Sequence, residues 1–291
     1  MGDNEVLVGT NLGWLPGQKL FFAPTTLQHD QYEVMTIENY EDSTGKLTLT
    51  EEFINYHYGA QLTTEDIQDQ SAGVDMRGEV LLLDRSIKII GTDSDEWGCQ
   101  VVTTDVLVSA TETARGKTIL SNVEIEKGGQ EKVKPALRFE NSNGGSQVVG
   151  SVVHGSDYYG LYIMSSSDIT IEETTIVKAT SMGVITLSTN NVIMDKLFVG
   201  GIIPRTDALM GGLIHKEACY SICALNAGNL CTNTKLKNSI AAGCPYAGFV
   251  APGSSCNDND DQEHSFYGNI AHSVQGNGAL IYPDPNLYDS S

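Results

Sequence analysis

Short apolar runs recur in the second half of the chain at a spacing of 23 residues. Residues 160–163 are repeated by residues 183–186, and residues 168–171 are repeated by residues 191–194. Each unit holds three β-prone runs separated by Ser, Asn, Thr or Gly, which leaves no room for helical crossovers. A chain that pairs each run with its counterpart one unit later forms a parallel β-helix, with coils about 4.8 Å apart.

The same phrase continues on both sides of this repeat. It is found upstream in residues 118–139 and downstream in residues 236–250 and 266–281, which gives about six coils. The sequence therefore predicts an all-β fold, a right-handed single-stranded parallel β-helix (a solenoid) over residues 99–291. Within a coil, we expect Ile193 to point into the interior and Thr170 to point outwards.

Two stretches interrupt the period. Residues 200–234 and 252–264 are rich in Gly, Pro, Cys and acidic residues, and we expect loop insertions there. In solenoids such insertions commonly form the functional face. The recurrent Asn122, Asn238 and Asn269 suit left-handed turns, and stacked in successive coils they predict a ladder of side-chain amides.

The first 98 residues have a different pattern. Short alternating runs are separated by turns at Gly45 and Gly91, and they lack the 23-residue period. Residues 1–98 are therefore expected to form irregular early coils or an N-terminal all-β cap. A cap at the end of the helix would protect edges that a bare terminal coil leaves unpaired.

Charge narrows the choice of partner. The 291 residues include 17 basic and 37 acidic residues, a net charge of −20, which disfavours nucleic acid as a partner and is compatible with a basic protein. The chain contains no apolar run of about 20 residues, so no membrane span is predicted within it. One segment is locally basic, and it gives a candidate binding patch or, as the alternative, a solvated face: Arg115, Lys117, Lys134 and Arg138.

Five of the six cysteines lie between residues 219 and 256. Two disulfides are expected there, with buried free thiols or a metal site as alternatives, although the tight CxxC pairs of a zinc site are missing. A bond from Cys244 to Cys256 would close the second insertion, and one pair among Cys219, Cys223 and Cys231 would close the first, with Cys219 and Cys231 as the leading candidates. Disulfides would indicate an oxidising compartment.

Several phrases resemble the fibrocystin and fibrocystin-like family. The phrase GVDMRGEVLLLDRSIKIIG is the most specific, and the others occupy residues 10–37, 47–59, 241–256 and 269–285. The resemblance implies a large extracellular or cell-surface protein, in which β-helix repeats accompany eight-glycine domains and any membrane anchor lies outside this segment. A role in carbohydrate binding or at a cilium is implied in the same way.

The resemblance favours a non-enzymatic module that binds a protein or glycan partner. Cell-surface hyaluronidases share the phrase around Asp75 and Arg77, so a glycan-active enzyme is the alternative. Residues 135–139 lack the histidines that those enzymes carry in the corresponding coil. This departure weakens the enzymatic hypothesis, and the question of enzymatic activity stays open.

Few residues are candidates for chemistry. Asp75, Arg77 and Glu79 alternate along an expected strand, and His154 with Asp157 is expected at a turn. A structural or solvated role is the favoured interpretation of both groups. Asp258, Asp260 and Asp261 offer oxygen ligands for Ca²⁺, but they lack the glycine and distal glutamate of an EF-hand loop. No cofactor is expected.

Overall fold

The computed structural model describes residues 2–59, 77–92, 98–130, 134–205, 217–223, 231–252 and 266–282. The fold is all-β, and most strands belong to three parallel sheets that each coil visits in turn. The predicted parallel β-helix is therefore confirmed. Among the described residues, no helix is long and apolar enough to cross a bilayer.

The parallel sheets are numbered here in the order in which a coil meets them. Sheet 1 comprises β6 (Ile87–Ile90), β11 (Val123–Glu126), β14 (Val152–Ser156), β17 (Thr175–Ala179), β20 (Phe198–Gly200), β23 (Ile240–Cys244) and β26 (Ile270–Val274). Sheet 2 comprises β7 (Val101–Thr103), β12 (Leu137–Glu140), β15 (Leu161–Met164), β18 (Val184–Leu187), β21 (Ala218–Ile222), β24 (Ala247–Pro252) and β27 (Asn277–Tyr282). Sheet 3 comprises β10 (Ile119–Ser121), β13 (Ser146–Val149), β16 (Ser167–Glu172), β19 (Asn190–Asp195), β22 (Thr232–Lys237) and β25 (Phe266–Tyr267).

Two antiparallel elements accompany the β-helix. The cap sheet has the strand order β1-β4-β3-β2-β5 and is formed by β1 (Glu5–Leu7), β2 (Lys19–Phe22), β3 (Glu33–Glu41), β4 (Lys46–Leu49) and β5 (Val80–Leu82). A hairpin between β7 and β10 is formed by β8 (Val106–Ser109) and β9 (Glu112–Ala114).

The repeat read from the sequence is the register of the structure. Leu161 pairs with Val184, Ile169 with Val192, and Thr175 with Phe198. The expectation for Ile193 is wrong, because Val192 and Met194 are buried while Ile193 is half-buried on the outer face. Ile193 stacks on Thr170, so the two residues share one face.

The corners between sheets require a left-handed backbone, which non-glycine residues adopt at a cost. Four stacked sets of residues with positive φ mark these corners. They are 127, 155, 178, 201, 243 and 273 at the end of sheet 1; 141, 165, 188 and 223 after sheet 2; 145, 168, 191 and 233 at the start of sheet 3; and 122, 150, 173, 196, 238 and 268 after sheet 3. The left-handed backbone of the corners therefore repeats from coil to coil, whereas the residue types at the corners vary.

The predicted amide ladder of Asn122, Asn238 and Asn269 is wrong. Asn122 and Asn238 occupy equivalent corners, but other residues occupy the coils between them, and Asn269 lies one residue beyond its corner. A side-chain ladder forms instead at the start of sheet 3. There Asn191 Nδ2 donates to Asp168 Oδ1 at 2.6 Å, and Asn233 Nδ2 donates to Asn191 Oδ1 at 2.9 Å.

The cap sheet covers the flank of the β-helix and not its end. Phe21 of β2 packs against Val152, Val177 and Phe198, which lie on the outer face of sheet 1. The strands of sheet 1 are consequently buried on both faces, as in sheets that are covered on both sides. The described strands of the cap sheet therefore lie on the flank, whereas the sequence led us to expect a cap over the terminal coil.

Candidate functional site

A buried group of charged side chains joins the cap sheet to the first coils. Glu124 of β11 is 2% exposed and His154 of β14 is 7% exposed, and both lie on the outer face of sheet 1. His154 Nε2 is 3.0 Å from Glu124 Oε1, and Lys88 Nζ is 3.0 Å from Glu124 Oε2. The backbone N–H of Arg85 also donates to Glu124 Oε2, at 2.8 Å. We call this group, together with Asp84 and the Lys19–Glu126 pair beside it, the Glu124 cluster.

The charges of the Glu124 cluster compensate one another. Burial would lower the pKa of Lys88, but hydrogen bonds and attraction from Asp84 and Glu124 outweigh it and raise that pKa. Burial would raise the pKa of Asp84, but hydrogen bonds from Lys19 and Lys88 outweigh it and lower that pKa. Burial lowers the pKa of Arg85, whose guanidinium donates to the carbonyl oxygens of Gly150, Leu82 and Asp84. Every ion therefore has a partner, which is what burial of charge requires.

Part of the Glu124 cluster has the donor atoms of a metal site. One ligand atom each from Glu124, Glu126 and His154 lies within 4.8 Å of the others. However, ammonium groups already contact these carboxylates, with Lys88 Nζ 3.0 Å from Glu124 and Lys19 Nζ 3.6 Å from Glu126. With lysines already bound to these carboxylates, the cluster is a structural network of ion pairs that joins the cap sheet to the coils.

The candidate acid–base residues do not share one groove. His154 is not at a turn as expected but lies within β14, whereas Asp157 is exposed beyond the end of that strand. Arg77 and Glu79 precede β5 and do not lie along a strand. Glu79 Oε2 is 3.0 Å from His272 Nε2 of β26, so it contacts the last coil. Asp75 and the acidic residues Asp258, Asp260 and Asp261 lie outside the described residues.

Two basic residues of the expected patch, Arg115 and Arg138, have acidic partners. Arg115 Nη1 is 2.6 Å from Asp105 Oδ2, and Arg138 forms an ion pair with Glu140. Burial would raise the pKa of Asp105, but hydrogen bonds from Asn143, Arg115 and the Gly116 N–H outweigh it and lower that pKa to about 2. Lys117 is exposed, and the backbone of Lys134 pairs with that of Gln130.

A stack of aromatic rings and guanidinium groups crosses the outer surface of several coils. The rings of Tyr158 and Tyr159 are 3.8 Å apart, and those of Tyr159 and Tyr162 are 6.3 Å apart. Arg205 lies 5.7 Å above the Tyr158 ring, and Arg138 lies 6.0 Å above the Tyr162 ring. This stack was not predicted from the sequence, although the adjacent Tyr158 and Tyr159 were a signal for it. The two guanidinium groups contact the Tyr158 and Tyr162 rings, and they come from other coils than the tyrosines. The stack therefore connects different coils by cation–π contacts.

Two disulfides lie in the later coils, one between successive coils and one within a coil. Cys219 is bonded to Cys244, and Cys223 is bonded to Cys231. The predicted partner of Cys244 was therefore wrong: Cys244 bonds to the buried Cys219 on β21, a strand that contacts β23, and Cys256 lies outside the described residues. Cys99 is a free, half-buried thiol whose pKa is raised by burial.

The first coil and its hairpin expose more apolar surface than the coils that follow. Val106, Leu107 and Val108 of β8 are 56%, 70% and 60% exposed. Other exposed apolar side chains belong to the first coil itself: Ile87, Ile90, Val102 and Ile119. Contiguous exposed apolar residues of this kind mark interaction surfaces more often than chance exposure does.

Comparison with known proteins gives one consistent relationship. No family model matches the chain. The chain is 23% identical over 274 residues to human Fibrocystin-L, which covers 89% of the chain and 6% of the relative. It is also 25% identical over 183 residues to mouse Fibrocystin, covering 63% of the chain and 4% of the relative, and 22% identical over 289 residues to dog Fibrocystin, covering 98% and 6%. These similarities confirm the resemblance to fibrocystin-like proteins, and the chain spans only about a twentieth of their length.

Proposed function

We propose that the chain is a non-catalytic binding module of a fibrocystin-like extracellular protein, with a protein or glycan as its partner. The observation that carries this proposal is that the acidic and histidine side chains which could act as acid and base pair with each other between the cap sheet and the coils. Glu124 and His154 are buried beneath the cap sheet, and Glu79 and His272 pair where that sheet meets the last coil. A hydrolase needs its acid and base to converge on a substrate, and these groups are instead used to hold two parts of the fold together.

The cysteines support the proposed compartment. Both described disulfides lie in or beside the coils, and structural disulfides persist mainly in secreted and cell-surface proteins. An extracellular module with its acids engaged in packing is a scaffold on which loops and edges can bind.

The contact surfaces within this proposal are the two predicted insertions and the segment around Arg115 and Lys117. Residues 206–216, 224–230 and 253–264 of these insertions lie outside the described part of the chain. Residues Ala218–Ile222 of the first insertion are excluded, because they form the buried strand β21 of sheet 2 and not a loop. A polyanionic glycan would need a basic groove, and the net charge of −20 makes the segment around Arg115 and Lys117 the best place for one. A protein partner would have no such requirement.

Labelled hyaluronan separates the binding proposal from the enzymatic alternative. The purified chain is incubated with it, with and without Ca²⁺, and the length of the polymer is followed over time. We expect no shortening in either condition. Shortening that is abolished by heat denaturation would overturn the proposal and establish the glycan-active alternative.

A further inference from the structure

In the part of the chain that the structure describes, the first coil leaves one edge of each parallel sheet without a partner strand. β6, β7 and β10 are the first strands of sheets 1, 2 and 3, and no other strand in the described part of the chain pairs with their outer edges. An open edge presents backbone N–H and C=O groups that another extended segment can bind. The three edges differ in how many such groups they offer and in how they are protected.

Two of the three edges are poorly suited to an incoming strand. In β6, Lys88 lies in the middle of the edge strand and contacts Glu124 at 3.0 Å, and a lysine at this position is a usual protection against strand addition. In β7, the N–H of Val101 donates to Ala136 O of the next coil. Because alternate residues of a parallel strand face the same neighbour, Val102 is the one residue of β7 that faces outwards along the sheet.

The edge of β10 has more outward-facing backbone groups than the edge of β7. Gln147 N donates to Thr118 O, and Asn122 N donates to Val149 O. The backbone groups of residues 118, 120 and 122 therefore face β13, and those of Ile119 and Ser121 face the open edge. This edge carries no charged residue and no proline between residues 118 and 123.

The side chains at this edge are apolar and accessible. Ile119 is 63% exposed on the outer face, and Leu120 packs against the core on the inner face. The hairpin β8–β9, whose residues are all exposed, precedes β10 in the chain. An isolated two-stranded ribbon is at best marginally stable in water, so a partner that covers this region would also stabilise the hairpin.

We propose that the edge of β10 binds an extended segment of a partner protein, which adds a strand to sheet 3. Main-chain hydrogen bonds to Ile119 and Ser121 would supply the pairing, and an apolar, β-branched side chain would pack on Ile119. The segment would be free of proline, and an acidic residue in it would complement Lys117, which is exposed two residues before Ile119. This inference rests on the proposed function, since it names one partner class for a binding module.

A phage library of random eight-residue peptides, panned on the folded chain, tests the proposal. We expect enrichment of proline-free peptides with alternating β-branched residues. Ser121→Pro removes one outward N–H and leaves the bonds to β13 in place, so it should weaken binding of the selected peptides about 10-fold, as expected for loss of one hydrogen bond. Ser121→Ala loses the same hydroxyl but keeps the N–H, and it should bind like the wild type.

A second variant guards against a folding defect. Ile119→Lys keeps every backbone group and places a charge on the open edge, so it should also reduce peptide binding while urea unfolding stays unchanged. If no peptide is enriched, or if the enriched peptides bind Ser121→Pro and Ile119→Lys as well as they bind the wild type, the strand-addition proposal is overturned. The hyaluronan experiment is unaffected by either result, so failure of this proposal is distinguishable from failure of the proposed function.

Discussion

The outer faces of sheets 1 and 3 belong to the same solenoid and have opposite environments. On sheet 1, Val152 and Val177 are fully buried beneath the cap sheet. On sheet 3, the strands alternate between buried and half-buried residues, and Thr170 and Ile193 point towards solvent. Packing inside the coil buries every second residue of each strand. On sheet 1 the cap sheet also buries the residues in between.

This difference explains where charge is found and how it is held. On sheet 3, Asp195 and Lys237 form a partly exposed pair at 3.5 Å. On sheet 1, Glu124 is buried and has a histidine, a lysine and a backbone N–H as partners. A surface pair contributes little to stability, whereas removing one member of a buried network leaves uncompensated charge.

The largest expected effect separates the interior from the outer face. Val192→Asp places a charge in the coil interior, and we expect it to cost several kcal/mol and to disrupt neighbouring coils. Ile193→Asp, one residue later, should change stability by less than about 1 kcal/mol, because its side chain points outwards. Urea unfolding of the two variants measures the contrast, and equal losses would contradict the described alternation.

The next effect tests the covered face. Glu124→Ala leaves Lys88 and His154 without their shared carboxylate, and we expect a loss of about 3–5 kcal/mol. Glu173→Ala is the matched control, because the Glu173–Lys196 pair at 3.1 Å is exposed and should contribute little to stability. Similar losses in the two variants would mean that the Glu124 cluster is solvated.

The disulfides provide a smaller effect. Replacing both Cys219 and Cys244 with alanine should cost about 2–4 kcal/mol, since the bond closes a loop with a sequence separation of 25 residues. The bond between Cys223 and Cys231 closes a separation of 8 residues, and the chain-entropy argument makes its removal about 1 kcal/mol less costly. Thermal unfolding of the two double variants under non-reducing conditions checks this order.

The smallest effect concerns the corners. Lys178 has a φ of 55°, so Lys178→Gly relieves a left-handed strain and should stabilise the fold by up to about 1 kcal/mol. Lys235→Gly, within β22 of sheet 3, should instead destabilise by about 0.5–1 kcal/mol. We expect the denaturation midpoint to rise for Lys178→Gly and to fall for Lys235→Gly. A loss of stability in both variants would contradict the assignment of Lys178 to a corner.

The repeat was readable from the sequence because pairing in a β-helix is a fixed offset. The 23-residue spacing placed Ile169 and Val192 in register without any knowledge of the corners. The inward direction of Ile193 was wrong because Val192, Ile193 and Met194 are all apolar, and such a run does not itself say which residues point inwards. Counting along the strand from the corner at Asn191, where the backbone is left-handed, would have shown which residues point inwards.

The flank position of the cap sheet also had a signal. Consecutive apolar residues such as Val152–Val153 and Ile176–Val177 indicate a sheet that is buried on both faces. What covers such a sheet is a contact between segments far apart in the chain, which no local pattern specifies. The Glu124 cluster was missed for the same reason, since its members come from four separate segments around residues 19, 84–88, 124 and 154.

Thiol labelling compares the two outer faces most directly. Val177→Cys and Thr170→Cys are made in a Cys99→Ser background, and the alkylation of each new thiol in the folded chain is located by peptide mass mapping. The account predicts rapid labelling at position 170 and protection at position 177, because the cap sheet covers the outer face of sheet 1. Equally rapid labelling at both positions would show that this face is open, and it would remove the structural role assigned to Glu124 and His154.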